Sequence, residues 1–302
     1  VPLDPQFEAY VLQAPLAEMP LEESRQLLRE ASASMPKAPV ARVEDRVITG
    51  PAGELPARIY YPENAKGAPL LIFIHGGGWT FGDLETHDHV CRSLSEAVGA
   101  VVAGFEYRLA PEHKYPAAAD DSQAAVEWLL DNCEALGCDP RRVIISGDSA
   151  GGNLAALVSQ RLHGREGTAI AFQILFYPAT DFSRERDSFR RHADAPGLTT
   201  ADVAWAMGNY LRDEADAVDP QAAPHLCSDL SGLPPAFVLT AEIDPLCDDG
   251  EDYARRLLEA GVPVMARRYL GAPHGFLSAS AELPAVREAF GDIARAVRWA
   301  LG

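Results

Sequence analysis

From Leu70 to the last residues, the chain alternates short apolar runs with longer amphipathic ones. Leu70-Leu71-Ile72-Phe73-Ile74, Ala100–Phe105, Val143-Ile144-Ile145, Ile170–Tyr177, Ala236–Leu239 and Val262–Tyr269 are of strand length and show little polar alternation. That is the pattern of strands buried on both faces. Between them, 86–98, 116–136, 150–163, 247–260 and 284–301 carry apolar residues at helical spacing. Val126, Leu129, Leu130, Cys133 and Leu136 share one face in the second, and Val286, Phe290, Ile293 and Val297 do so in the last. Gly137 and Gly261 are expected just past helix ends, where a left-handed residue is wanted. Regular alternation of this kind predicts an α/β fold: a mostly parallel, doubly wound sheet with helices on both faces.

Two stretches break the alternation. Residues 1 to about 45 are a polar, helix-prone lead, with Leu21, Leu27 and Leu28 on one face and Pro36 and Pro39 closing it; Val43–Thr49 and Leu55–Tyr61 then read as a hairpin about Gly50-Pro51-Ala52-Gly53. The interval from Pro178 to Pro235 contains the charged segment Arg184–Arg191 and a helical pattern over Thr200–Arg212, with Val203, Met207, Tyr210 and Leu211, but no convincing strand. It reads as an insertion.

Composition narrows the function. In 302 residues, 26 Lys and Arg stand against 44 Asp and Glu, a net charge of −18, which opposes binding to a phosphate backbone. Nucleic acid is therefore not an expected partner. No apolar run approaches the roughly 18 residues of a membrane span, so no membrane insertion is expected. The five cysteines form no C-x-x-C pair and no disulfide framework, and the first residues show neither a charged nor a continuous apolar leader region. A reducing, cytoplasmic location follows as the expectation, and a homodimer is left open.

The candidate chemistry lies at the ends of the apolar runs. Gly147-Asp148-Ser149-Ala150-Gly151 matches G-x-S-x-G and stands between the run ending at Ser146 and the helical stretch from Asn153. At such a turn the glycines remove Cβ atoms that would clash, the serine hydroxyl is exposed above the sheet, and the helix N-terminus points at the same place. Ser149 is thus a candidate nucleophile, against the plainer role of a loop serine capping a helix. His75-Gly76-Gly77-Gly78-Trp79 follows another run, and consecutive glycines leave backbone N–H groups free, as an oxyanion hole requires. Neither phosphate-loop pattern is present, and His75 itself reads as a structural hydrogen-bonding residue. Of the eight histidines, His274 lies among small residues in Gly271-Ala272-Pro273-His274-Gly275-Phe276 and is the candidate base. Asp244 follows the run Ala236–Thr240; taken alone it reads equally as a helix N-cap. The order Ser, Asp, His, each after a strand, favours a triad. His87-Asp88-His89 lacks a third ligand and reads as a solvated polar turn, not a metal site. Cys247 reads as a small buried thiol.

Together, His75–Trp79, Tyr107-Arg108-Leu109-Ala110-Pro111-Glu112-His113, Gly147–Asn153, Asp244-Pro245-Leu246 and the His274 loop resemble the hormone-sensitive-lipase family of α/β-hydrolase esterases, in its microbial GDSAG branch. The likeness covers about 45 to 302, with Glu106 before Tyr107 as a minor departure. It implies an eight-stranded, mostly parallel sheet (46–302) under a helical cap built from 1–45 and an insertion at about 180–220. It also implies carboxylic ester hydrolysis with no metal or organic cofactor. Carried over by position, Ser149 is the nucleophile, His274 the base, Asp244 its orienter, and the N–H groups of Gly77, Gly78 and Ala150 the oxyanion hole; Tyr107–His113 is a scaffolding turn. The expected partner is a small-molecule ester of short to medium chain, with Trp79, Phe81, Trp205, Met207 and Tyr210 as candidate pocket walls. Two alternatives remain: amide or peptide hydrolysis by the same triad, and a non-catalytic ligand-binding member of the fold.

Overall fold

The computed structural model describes residues 2–11, 17–165 and 170–302; the rest of the polar lead, at 1 and 12–16, lies outside the described residues. Eight strands form one sheet: β1 (Arg42–Gly50), β2 (Gly53–Tyr61), β3 (Ala68–Ile74), β4 (Val101–Phe105), β5 (Cys138–Asp148), β6 (Ile170–Phe176), β7 (Ala236–Ile243) and β8 (Val264–Pro273). Their spatial order is β1-β2-β4-β3-β5-β6-β7-β8. The hairpin β1-β2 is antiparallel and joins β4 antiparallel; every other neighbour is parallel.

Strand periodicity sorts the core into two layers. Leu70, Ile72 and Ile74 of β3 point to one face, and Leu71 and Phe73 to the other. The first face packs against α3 (Ala117–Asp131), α4 (Ala150–Leu162) and α7 (Cys247–Glu259), through Val126, Leu129, Leu154 and Leu257. The second packs against α2 (Asp88–Val98) and α8 (Pro284–Leu301), through Leu94, Val286, Ile293 and Val297. Every residue of β3 and β4 is buried, whereas edge strand β1 is largely exposed, as the unbroken apolar runs and the mixed first strand require.

The remaining helices are α1 (Leu21–Ala33), α5 (Asp187–Arg191) and α6 (Thr200–Tyr210), in the two stretches that break the alternation. Thr199 and Asp202 close a reciprocal capping box at the start of α6, and Lys114 Nζ donates to the carbonyls of Gly208 and Leu211 at its end. Gly261 follows the end of α7 with φ +82° as expected. Gly137 does not end α3: that helix stops at Asp131, and Gly137 closes the next turn by donating its N–H to Glu134. Among the described residues, no helix is long and apolar enough to cross a membrane.

Parallel strands share a direction, so their C-terminal ends lie along one edge of the sheet. His75, Tyr107, Ser149, Tyr177, Asp244 and His274 all follow strand ends on that edge, the usual ligand side of an open α/β sheet.

Candidate active site

Ser149 sits at a sharp turn between β5 and α4 with φ +54°, a conformation an L-residue keeps only when its surroundings enforce it. The surroundings are backbone. A Cβ on Gly147 would stand 2.3 Å from the carbonyl oxygen of Gly151, and a Cβ on Gly151 would stand 2.0 Å from that of Ile74. The two glycines of G-x-S-x-G are therefore required by contact. The turn is tied down further by Ser149 N–H donating to Phe176 O and Asn153 N–H donating to Ser149 O.

His274 Nε2 lies 2.8 Å from Ser149 Oγ, and its Nδ1 lies 2.7 Å from Asp244 Oδ2. Asp244 is fully buried. An ionised carboxylate only accepts, so Nδ1 carries the imidazole proton and Nε2 is left to accept from the serine hydroxyl. The other carboxylate oxygen of Asp244 takes the N–H of Leu246 at 2.7 Å. Asp244 thus holds the turn into α7 as well as the imidazole, although the residue at the N-cap position is Leu246. Tyr177, which no motif marks, packs its ring edge-on against His274 with centroids 4.9 Å apart.

The glycine loop after β3 folds back over the turn. Gly77 and Gly78 have φ of +105° and +58°, and a Cβ on Gly77 would fall 2.4 Å from Phe81 O. Among the described residues, none of the N–H groups of Gly77, Gly78 and Ala150 has an acceptor. Asp148 links this loop to the serine turn: its Oδ1 accepts from Gly76 N–H at 2.7 Å and lies 3.5 Å from His87 Nε2. Burial pushes the Asp148 carboxyl up, but His87 and the Gly76 N–H outweigh it and hold the group below the usual range. Asp148 occupies a variable position of G-x-S-x-G, so only its charge beside the serine could have flagged it.

His75 is structural, as expected. It is buried, stacks on Tyr107 at 4.2 Å, and its carbonyl accepts from Tyr107 Oη. The turn after β4 is likewise a scaffold: Arg108 grips Asp121 with two donors, and Glu112 is gripped by Arg25 of α1, whose Nε also donates to Thr80 O in the glycine loop. His87-Asp88-His89 needs correction. It is not a solvated turn; Asp88 and His89 are buried, with Asp88 paired to Lys37 and Arg92 and His89 Nε2 donating to Ser278 O. No group of three residues able to hold a metal is found among the described residues.

Four of the five expected wall residues are stacked in pairs. Trp79 and Tyr210 are buried and stacked on each other at 4.4 Å, with Phe182 edge-on to Trp79. Phe81 stacks on Trp205 at 5.6 Å. Met207 lines a cavity of about 610 Å³ with Phe182, Phe189 and Leu211. Its neighbour Ala206 faces the glycine loop instead, 2.9 Å from where a Cβ on Gly78 would stand. Helix α6 therefore stands between that cavity and the glycine loop.

Burial also sets a pH response. It lowers His75, His89 and His225 to about 4, aided by His87 for His75 and by Arg186 for His225. Burial, with Asp181 alongside, raises Asp249 to about 7 against the pull of Arg186. Between pH 6.5 and 4 the unfolded chain binds three histidine protons that the folded chain excludes, and the folded chain binds one Asp249 proton that the unfolded chain does not. The lowered histidines outnumber the raised Asp249, so stability should fall as the pH drops through this window. Urea unfolding at pH 6.5, 5.5 and 4.5 measures the slope; a flat profile refutes it.

Residues 71–278 match the family model described as the α/β hydrolase fold. Carboxylesterase NlhH of Mycobacterium tuberculosis is 40% identical over 288 residues, covering 93% of this chain and 90% of the relative. The chain belongs to the hormone-sensitive-lipase-like esterases of this fold. An ethyl acetate hydrolase of Pseudomonas putida is 37% identical, covering 87% of this esterase and 85% of the relative. A solved esterase of Pyrobaculum calidifontis superposes with a TM-score of 0.91 at 39% identity, over 99% of each chain. The protein is a carboxylic ester hydrolase.

Proposed function

We propose that this esterase cleaves short- to medium-chain carboxylic esters through an acyl-enzyme on Ser149. The observation that carries the proposal is the continuous hydrogen-bonded line from Ser149 Oγ through His274 to buried Asp244. Ser149 Oγ attacks the ester carbonyl carbon while its proton passes to His274 Nε2, and the N–H groups of Gly77, Gly78 and Ala150 receive the oxyanion. The C–O bond to the alcohol then breaks, and the leaving oxygen takes the proton from His274. Water, deprotonated by the same nitrogen, attacks the acyl carbon and releases the acid. Asp244 stays ionised throughout and stabilises the imidazolium.

Two features support a small substrate. Helix α6 closes on the glycine loop through Ala206, and the Trp79–Tyr210 stack fills the adjoining space. The name of the Pseudomonas putida relative points the same way. In this reading the N-terminal segment, with α1, and the insertion at about 180–220 form a two-piece lid. Arg25 ties α1 to the glycine loop, and Ser188 ties α5 to the Asp244 turn by donating its hydroxyl to Pro245 O. Hydrolysis of p-nitrophenyl esters of increasing length tests the assignment. kcat/KM should peak at roughly eight carbons or fewer, and activity still rising beyond about 12 carbons contradicts a confined pocket. Matched anilides should turn over far more slowly than the esters.

A further inference from the structure

Most cations in this acidic chain are in ion-pair contact with a carboxylate. Among the described residues, the lysines and arginines without one are Lys66, Lys114, Arg142, Arg256, Arg287 and Arg298. Lys114, Arg256 and Arg287 donate instead to backbone carbonyls. Neither kind of partner is found for Lys66, Arg142 and Arg298. Those three residues line one cavity of about 310 Å³.

The cavity lies at the edge of the sheet opposite Ser149. Its walls are the turn before β3, the end of α2 at Gly99, Arg142 of β5, and the last turn of α8 with Gly302. Seven residues of β3 separate it from the glycine loop, about 20 Å at the rise of a strand. Lys66 and Arg298 are exposed, Arg142 is half-buried, and Arg142 Nε is buried with no partner among the described residues. No Asp or Glu contributes to the lining, and no described carboxylate is in ion-pair contact with any of the three cations, although the charge of Arg142 helps to hold the nearby Asp139 carboxyl down.

We propose that this cavity is an anion site that takes a phosphate group, free or as the monoester of a small molecule. A phosphate near neutral pH carries up to two negative charges and acceptor oxygens on several sides. The planar fork of Arg142 suits two of those oxygens, and Lys66 and Arg298 supply point charges at the mouth. A monocarboxylate would leave most of that charge unmatched. The site lies away from the acyl chemistry, so its effect is on stability: a ligand held only by the folded chain shifts unfolding by mass action.

Calorimetric titration with inorganic phosphate at constant ionic strength, paired with thermal unfolding in phosphate against chloride, tests this. The wild-type enzyme should give a saturable heat with one site and a higher Tm in phosphate. Arg142→Gln and the double variant Lys66→Gln/Arg298→Gln should each weaken binding by about tenfold or more and remove the Tm difference. Short-ester turnover without phosphate should stay unchanged, showing that the variants fold. Glycerol phosphate binding more tightly than inorganic phosphate assigns the site to monoesters; the reverse order assigns it to the free ion. Absence of a saturable heat in the wild type, retention of binding in the variants, or equal affinity for acetate overturns the proposal.

Discussion

Replacing Ser149 by alanine is expected to lower kcat on a short-chain ester by about 10⁴- to 10⁶-fold while leaving a folded protein. The side chain's one described hydrogen bond is to His274, and alanine keeps the same backbone turn, so Tm should move by only a few degrees. His274→Ala should cost a similar factor, because the base is needed in both halves of the reaction. Asp244→Asn should cost about 10⁴-fold, since an amide donor facing Nδ1 favours the wrong imidazole tautomer. The residues act as a unit, so the double variant Ser149→Ala/His274→Ala should be no slower than the worse single one. Steady-state kinetics with circular dichroism on the same preparations checks each step. Full activity in Ser149→Ala is incompatible with the mechanism.

The second large effect concerns stability. Gly151→Ala should yield no folded enzyme. The added Cβ would fall 2.0 Å from Ile74 O and 2.5 Å from His75 O, both backbone at the end of a central buried strand. Neither can retreat without breaking β3 from its neighbours, so a cost of several kcal/mol is expected, comparable with the whole stability of a domain. Gly208→Ala is the internal contrast. It lies in α6 with nothing within 4 Å of the new Cβ, and should raise stability by up to about 1 kcal/mol. Soluble yield and thermal unfolding of the two variants separate contact from composition. A stable Gly151→Ala enzyme would mean that the serine turn is far more plastic than its contacts allow.

The sheet was legible because burial on two faces leaves a plain mark: Leu70–Ile74 and Val143-Ile144-Ile145 have no polar residue to misplace. The ends of elements were less so. Leu136 continues the apolar stripe of α3, but the helix stops at Asp131 and Leu136 is buried from the following turn. Ser149, His274 and Asp244 were legible as types at strand ends, and the structure brings these three into one hydrogen-bonded line. The aromatic walls were not. Trp79 and Tyr210 are separated by 131 positions, and nothing in sequence spacing reveals that they stack on each other. Polarity misled at Asp88 and His89, whose burial depends on Lys37, Arg92 and Ser278 from distant or neighbouring segments. The same holds for the three unpaired cations, which meet only when β3, β5 and α8 are assembled.

The net charge of −18 takes on a clearer distribution in the structure. Much of the acid is committed to ion pairs, as in the Arg186 cluster with Asp181 and Asp252 and the Arg108–Asp121 pair. The proposed chemistry uses a single ionised carboxylate, that of Asp244.

Labelling with a fluorophosphonate, followed by intact-mass and peptide analysis, tests for the covalent intermediate on Ser149. One adduct per chain is expected, on Ser149, absent in Ser149→Ala and greatly slowed in His274→Ala. An enzyme that hydrolyses esters yet takes up no label, or takes it up at a residue other than Ser149, contradicts it.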